Sequence, residues 1–155
     1  MTLPKEISIA DIYNKQVDTI SEDLPVIEAI RLLEQRHANA FVVLNAEGDI
    51  AGILSIQDIA AATVPIEFRE HVEIATAMYK KGLFVEMCEE IKNKKISEIM
   101  RRKFVTVDLN SNIMVVMSDF LMNDLYVIPV VQKGKLVGII SRTQIKKALN
   151  IAFNI

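Results

Sequence analysis

The sequence predicts an α+β fold with two copies of a β-α-β-β-α unit, each with a small mixed sheet and helices on one face, related by a pseudo-two-fold axis. Three observations lead to this prediction. The chain of 155 residues contains an internal repeat, the hydrophobic period changes in the same order in both copies, and each copy has a polar turn between two apolar runs. Since 51% of the residues are hydrophobic, the chain can bury a sizeable core and wholesale disorder is excluded.

The internal repeat relates the N-terminal half of the chain to the C-terminal half. Residues 7–34 match residues 94–121 at an offset of 87, and residues 49–59 match residues 135–145 at an offset of 86. Self-similarity of this kind indicates a duplicated structural unit. Because only two copies are found, the sequence predicts a pseudo-symmetric pair and not a solenoid.

Each copy opens with a short predicted helix, which ends near Tyr13 in the first copy and near Met100 in the second. A short run of β-forming residues follows, VDTI at 17–20 and FVTV at 104–107. Because β-branched residues favour strands, we predict that these runs are the first strands of the two sheets.

A longer helix comes next in each copy, because apolar residues then recur at helical spacing. Pro25 suits the first turn of this helix in the first copy, and Ser111 suits the N-cap in the second. The positions with helical spacing are Ile27, Ile30 and Leu33 in the first copy and Met114, Met117, Phe120 and Leu121 in the second.

Two further strands and a final helix complete each copy. The apolar runs AFVVL and IAGIL flank the turn AEGD, and the runs VIPVV and LVGII flank the turn QKGK. Both patterns predict a β-hairpin, and the final helix should begin at Ser55 or Ser141. Since a helix connects the first strand to the second, these two strands should be parallel.

A segment of about thirty residues separates the two copies. Its apolar positions predict two short helices broken near Gly82, and Pro65 should end the preceding helix. The predicted organisation is therefore a first repeat at 1–63, a helical linker at 64–94 and a second repeat at 95–155.

Composition excludes several classes of protein. With Cys88 as the only cysteine, no intrachain disulfide framework or CxxC zinc site is possible. Polar residues interrupt every apolar stretch well before the roughly 18 residues of a membrane span, and the N-terminus lacks the apolar region of a secretory signal. A formal net charge of −2 gives no general reason to bind nucleic acid or an anionic membrane. We therefore expect a cytoplasmic protein that binds neither nucleic acid nor a membrane.

Together these motifs resemble the CBS-domain family, in which tandem domains form a pair called a Bateman module. The resemblance covers about residues 7–62 and 95–149. It rests on the short helix before each first strand, the VDTI and FVTV strands, the VIPVV strand and the signature G-h-h-[ST]-x-x-D, where h is hydrophobic. Residues 52–58, GILSIQD, fit this signature fully. Each fragment is common, but all of them occur in order and twice in one chain.

The resemblance implies a regulatory module that binds an adenine nucleotide or a related adenosine compound in the cleft between the repeats. In such modules the Asp of the signature takes the ribose hydroxyls and the Ser or Thr lies near the phosphate. Here these residues are Asp58 and Ser55. An ionised Asp58 can accept hydrogen bonds from both hydroxyls, and Ser55 would stand at a helix N-terminus, which favours an anion. By family position, the ligand site should also include Asn39, Ile53, Val105 and Tyr126.

Helix capping is the alternative interpretation of the signature, because S-x-x-D before an apolar run also forms a capping box. In the second repeat Gln144 occupies the position of the acidic residue. A glutamine can complete a capping box but is not a charged acceptor for a ribose. A possible second ligand site, weaker than the first, would contain Ile139, Ser141 and Gln144.

The expected ligand carries few phosphates. Many nucleotide-binding members of the family have His or Arg just before the second strand, whereas Asn39-Ala40 and Tyr126-Val127 stand here. Arg142 could compensate in part. AMP and ADP therefore remain candidates beside a cationic adenosine compound such as S-adenosylmethionine, and ATP would require more basic partners. No cofactor is required.

No motif indicates catalysis or a metal site. The sequence has no G-x-S-x-G elbow and no Walker loop, and His37 and His71 lack the spacing of metal ligands. We therefore predict a non-enzymatic module for signal transduction, with an unknown regulated protein as its partner. The resemblance also implies a homodimer, for which the apolar face of the second helix is available. The rival hypothesis is a ligand-free dimerisation or scaffold module.

Overall fold

The computed structural model describes residues 6–123 and 127–155, and the chain folds into two small mixed sheets with helices. In the first half, α1 (Ile9–Ile12) precedes β1 (Thr19–Ser21), α2 (Val26–Gln35), β2 (Ala40–Leu44), β3 (Ile50–Ser55) and α3 (Ile56–Ala62). The connecting segment contains α4 (Ile66–Arg69), α5 (Val72–Met78) and α6 (Leu83–Ile91). A 3₁₀ helix (Ile96–Glu98) then precedes β4 (Val107–Asp108), α7 (Ile113–Met122), β5 (Val127–Gln132), β6 (Lys135–Ser141) and α8 (Arg142–Phe153).

Both sheets have the predicted hairpins. The strand orders are β1-β2-β3 and β4-β5-β6. Strands β2 and β3 are antiparallel, with Val42 opposite Ile53, and β5 and β6 are antiparallel, with Pro129 opposite Ile139. Strand β4 pairs with β5 in parallel, as the helical connection between them requires. The predicted α+β fold with two small mixed sheets is therefore confirmed.

Two predicted cap positions shift by one residue. Pro25 is the N-cap of α2 and not a residue of its first turn. Asn112, not Ser111, caps α7, and its side chain accepts a hydrogen bond from the Val115 N–H at 3.2 Å. The Ser111 N–H instead donates to the Asp108 carbonyl at 2.9 Å, which places Ser111 in the turn before the helix.

The connecting segment contains three helices in place of the two predicted. The break near Gly82 is confirmed, since this residue has a φ of 89° and stands at the N-cap of α6. The additional helix is α4, and Pro65 is its N-cap. Helix α3 ends three residues earlier, at Ala62, so Pro65 separates two helices as predicted.

The compact units of the structure differ from the repeats of the sequence. One unit runs from Ile20 to Arg102, and the other combines the described residues up to Thr19 with those from Lys103 onward. The bounds 1–63, 64–94 and 95–155 thus describe the repeated sequence, whereas the packing assigns the opening segment of each copy to the unit that contains the other copy's hairpin.

Buried residues show this exchange of opening segments. Ile9 and Ile12 of α1 are fully buried in the core that contains Val107, Ile128 and Ile140. In the other unit, the opening segment contributes two buried residues to the core formed by the first hairpin and its helices. These two residues are Ile96 and Met100, and their neighbours in the cluster include Phe41, Leu54 and Ile59.

Each opening segment also pairs with a strand next to a glycine. Asn14 and Ile139 exchange two backbone hydrogen bonds of 2.9 Å, and Arg101 and Ile53 exchange a pair of 2.8 and 2.9 Å. A Cβ atom added to Gly138 would lie 2.6 Å from the Asn14 carbonyl oxygen. The glycine of the signature therefore allows the opening segment to approach β6. Gly52 has the same role beside β3, where an added Cβ would lie 2.6 Å from the Arg101 carbonyl oxygen.

Candidate functional site

Asp58 and Ser55 form a complete capping box at the start of α3. The Asp58 Oδ2 atom accepts hydrogen bonds from the Ser55 N–H at 2.8 Å and from the Ser55 hydroxyl at 2.9 Å. The Asp58 N–H donates in turn to Ser55 Oγ at 3.2 Å. Ser55 is 2% exposed and Asp58 is half-buried. The structure therefore contains the predicted helix cap, which occupies one carboxylate oxygen of Asp58.

The second carboxylate oxygen, Oδ1, accepts no hydrogen bond from any residue in the described part of the chain. A carboxylate oxygen has two lone pairs available to donors. Asp58 can therefore cap α3 through Oδ2 and accept hydroxyl groups of a ligand through Oδ1 at the same time. Capping and ligand binding are compatible at this residue.

The start of α3 offers few free donors to a phosphate. The Ser55 and Asp58 N–H groups are paired within the capping box, and the Ile56 N–H donates to the Asn39 carbonyl at 2.8 Å. Helix α3 has only 7 residues, which limits its dipole. The family resemblance implies a phosphate near Ser55, and in this structure the Asp58 carboxylate accepts from both the N–H and the hydroxyl of Ser55.

A pocket of about 260 Å³ opens beside Asp58. Its charged lining residues are Asp58 from α3, Arg69 from α4 and Glu98 from the 3₁₀ helix, with Ala61, Ala62 and Ile99 between them. Arg69 donates to the Ala61 carbonyl from Nη2 at 2.6 Å and to the Val64 carbonyl from Nε at 3.1 Å. These bonds hold its guanidinium at the C-terminal end of α3, where a cation is stabilised by the helix.

Arg69 and Glu98 were not predicted from the sequence. The motifs near the expected site contain little positive charge, and Arg142 was the only cation expected to compensate. Arg69 lies seven residues after the end of α3. Its side chain contacts the end of α3 because the chain turns at Pro65 and continues as α4. The sequence did contain a signal for Arg69, namely a cation within a few residues of a predicted helix end. Arg often binds the last carbonyls of a helix.

The other residues predicted for the first site have different surroundings. Asn39 is exposed, and its carbonyl accepts the hydrogen bond from the Ile56 N–H at the start of α3. Ile53 is 4% exposed, and both of its backbone polar groups pair with Arg101. Val105 is half-buried against the core of the other compact unit. Tyr126 lies outside the described residues.

The second repeat has the equivalent cap without a carboxylate. Gln144 Oε1 accepts hydrogen bonds from the Ser141 N–H at 2.8 Å and from the Ser141 hydroxyl at 2.7 Å. Gln144 is 7% exposed, whereas Asp58 is half-buried. Ile139, the third residue of the possible second site, is half-buried and pairs with Asn14. The amide thus completes the cap but adds no negative charge.

A second, apolar groove of about 430 Å³ lies between α2, α3 and α6. Ile30, Ile56 and Phe84 line it and are exposed, and Cys88 lines it and is half-buried. Glu89 and Lys92 also line the groove, and their side chains form an ion pair with each other.

Neither a metal cluster nor a membrane-spanning helix is found among the described residues. No group of three or more His, Cys, Asp or Glu side chains there could hold a metal ion. His71 instead lies 3.3 Å from the Glu73 carboxylate, and His37 is exposed. Within the same ranges no helix is both long and apolar enough to cross a membrane.

Comparisons with known proteins agree with the repeated architecture. The family model described as "CBS domain" matches residues 9–64 and again residues 96–151. The chain is 28% identical over 152 residues to the uncharacterized protein MJ1426 of Methanocaldococcus jannaschii, with coverage of 91% of this chain and 90% of the relative.

Solved structures share the fold at lower identity. The CBS domain pair of protein MJ0100, crystallised with 5′-methylthioadenosine and S-adenosyl-L-methionine, superposes with a TM-score of 0.67 at 22% identity, covering 92% of this chain and 99% of that one. CBSX2 in complex with AMP gives a TM-score of 0.67 at 20% identity, covering 93% and 97%. From the two family matches and the repeated β-α-β-β-α units, we conclude that this chain belongs to the CBS-domain family and contains a tandem pair of CBS domains.

Proposed function

We propose that this protein is a regulatory module that binds an adenosine-containing ligand at Asp58 and transmits the binding to a partner protein. The observation that carries the proposal is the unoccupied acceptor of Asp58, Oδ1, beside a pocket of about 260 Å³. Further support comes from MJ0100 and CBSX2, which share the fold and were crystallised with adenosine compounds. AMP, ADP, ATP and S-adenosylmethionine are the candidate ligands.

The mechanism is a shift in population between conformations and includes no chemical step. A ligand favours whichever conformation binds it more tightly, and the shift is limited by its difference in affinity for the conformations. CBS-domain proteins are generally regulatory, and we propose the same for this chain, as a cytoplasmic protein without nucleic-acid or membrane partners.

Adenosine compounds should raise the thermal stability of the protein. A ligand present at 100 times its Kd stabilises the folded state by about 2.7 kcal/mol. For a chain of this length that corresponds to an increase in Tm of roughly 5 to 11 °C. Differential scanning calorimetry with AMP, ADP, ATP, NAD and S-adenosylmethionine at millimolar concentration measures this effect. GMP and CMP are the matched controls and should raise the Tm less.

A ligand-free dimerisation or scaffold module is the second candidate function. Its supporting observation is that both signature motifs form capping boxes, with Asp58 in one repeat and Gln144 in the other. If none of the five adenosine compounds shifts the Tm, this candidate replaces the first.

We also propose that the protein is a homodimer. The sequence suggested the α7 face of Met114, Met117, Phe120 and Leu121 as the interface, but Met117 and Phe120 pack against the core of their own unit. Met114 and Leu121 are 68% and 79% exposed. The interface proposed for α7 therefore reduces to these two exposed positions.

A dimer should have about 35 kDa by multi-angle light scattering, twice the 17.4 kDa of the chain. Replacing Leu121 with glutamate should shift the protein toward the monomer, because a buried unpaired charge opposes association. Val85→Glu, at another exposed apolar position, is the control and should leave the mass unchanged. A wild-type monomer at micromolar concentration would contradict the proposal.

A further inference from the structure

The pocket beside Asp58 contains charged groups of both signs. Arg69 contributes one positive charge, and Asp58 and Glu98 contribute two negative charges, which gives a formal net charge of −1. None of the three forms an ion pair within 4.0 Å with another residue in the described ranges. The charges therefore line the same pocket without neutralising one another in direct pairs.

Each of the three groups retains capacity for a ligand. Arg69 uses two of its five donors on the Ala61 and Val64 carbonyls, so three N–H groups remain. Glu98 Oε2 accepts a hydrogen bond from the Lys95 N–H at 3.0 Å, and Oε1 has no partner among the described residues. Asp58 Oδ1 is available in the same way.

The volume of the pocket limits what it can hold. A volume of about 260 Å³ corresponds to roughly nine water molecules at liquid density. Pockets that enclose a whole drug-sized ligand measure about 300 to 1,000 Å³. The pocket therefore suits one polar end of an adenosine compound and not the entire molecule.

The arrangement of charge distinguishes two kinds of polar end. A phosphate would pair with Arg69 but would also meet two carboxylates, whose repulsion opposes it. An α-amino acid group carries a carboxylate that can pair with Arg69 and an ammonium that can pair with Glu98. Asp58 remains available to the ribose hydroxyls. Each of the three charged residues would then have a ligand group of complementary charge or hydrogen-bonding character.

We propose that the pocket formed by Asp58, Arg69 and Glu98 is a subsite for an α-amino acid group, and that it makes the protein selective for an amino-acid-bearing adenosine compound over a nucleotide. This inference rests on the proposed function, because Asp58 is assigned to the ribose. Arg69 and Glu98 are the residues that determine the specificity.

Isothermal titration calorimetry with four probes tests the subsite: S-adenosylmethionine, 5′-methylthioadenosine, AMP and free methionine. Wild-type protein should bind S-adenosylmethionine about 10- to 150-fold more tightly than 5′-methylthioadenosine, since only the former can form charged hydrogen bonds with Arg69 and Glu98. AMP should bind more weakly than S-adenosylmethionine. Free methionine identifies an amino acid as the ligand if it binds and the three adenosine compounds do not.

Two variants and one control assign the effect to residues. Arg69→Gln and Glu98→Gln should each reduce the affinity for S-adenosylmethionine at least tenfold and change the affinity for 5′-methylthioadenosine less than about twofold. Retained binding of 5′-methylthioadenosine shows that a variant is folded. Because Arg69 also binds α3, Glu98→Gln is the safer variant, as its amide oxygen can still accept from Lys95. Arg102→Gln is the control, since Arg102 donates to the Ser97 carbonyl and does not line the pocket.

The outcomes separate this inference from the proposed function. Equal wild-type affinities for S-adenosylmethionine and 5′-methylthioadenosine, or tighter binding of AMP, would overturn the subsite and leave adenosine binding intact. If no adenosine compound binds but methionine does, the pocket binds an α-amino acid group, but the selectivity for an adenosine compound and the proposed function both fail. If none of the four probes binds, both fail.

Discussion

Replacement of Asp58 with asparagine is expected to weaken the binding of the preferred adenosine compound about 10- to 150-fold. The structure indicates how the loss occurs. Asp58 Oδ2 accepts from both donors of Ser55, and the amide oxygen of an asparagine can take over that cap. The amide NH₂ would then replace Oδ1, so a donor would face the ribose hydroxyls where an acceptor is required. Calorimetric titration of the variant measures the loss.

Asp11 provides a matched control for this substitution. It forms the same capping box with Ser8, since its Oδ2 accepts from the Ser8 N–H at 2.9 Å and from the Ser8 hydroxyl at 3.0 Å. Asp11→Asn should therefore leave the affinity unchanged. Asp58→Asn should keep its unfolding free energy within about 0.5 kcal/mol of the wild type, because its cap retains an acceptor. An unchanged affinity in Asp58→Asn would contradict the assignment of the ribose to this carboxylate.

Replacement of Gly138 with alanine is expected to destabilise the protein by about 1 to 3 kcal/mol, as overpacking of a close contact does. The added Cβ would lie 2.6 Å from the Asn14 carbonyl oxygen. That oxygen accepts a 2.9 Å hydrogen bond from the Ile139 N–H, so it cannot move away without breaking the pairing. For a chain of this length the Tm should fall by roughly 2 to 12 °C, and amide exchange at Ile139 should accelerate.

Gly134 separates this steric effect from the conformational freedom of glycine. It has a φ of 77°, and an added Cβ would meet nothing within 4 Å. Asparagine tolerates that backbone conformation, so Gly134→Asn should cost about 1 kcal/mol or less. Gly52→Ala should resemble Gly138→Ala, because its Cβ would lie 2.6 Å from the Arg101 carbonyl oxygen. A wild-type Tm in both alanine variants would show that the opening segments do not need this close approach.

Local patterns made the hairpins and the signature helices predictable. The turns AEGD and QKGK lie between apolar runs, and short-range turn chemistry largely determines such hairpins. The capping boxes at Ser55 and Ser141 follow from a spacing of three residues within one helical turn. Features of this kind depend on residues that are close in the sequence, so the sequence was sufficient for them.

Contacts between distant segments were not predictable in the same way. Asn14 pairs with Ile139 across more than a hundred residues, and only the glycine at position 138 reflects this contact in the sequence. The repeat placed α1 in the first copy but did not indicate which hairpin it packs against. The position of Arg69 likewise depends on the turn at Pro65. The hydrophobic periodicity of the sequence does not predict where α4 lies relative to α3. Of the residues predicted for the first ligand site, Asp58 lines this pocket, whereas its cation, Arg69, and its second carboxylate, Glu98, were not predicted.

The exchange of opening segments has a consequence for how such a protein can be assembled from one repeat. In the arrangement seen here, a polypeptide with a single repeat could complete its core only with the opening helix of another molecule, as in domain swapping. That reaction would depend on the concentration of the protein. With two repeats on one chain, each opening helix is supplied at an effective concentration set by the connecting segment. The presence of two repeats on one chain thus converts a bimolecular exchange into an intramolecular one, with a fixed stoichiometry of one donor for each acceptor.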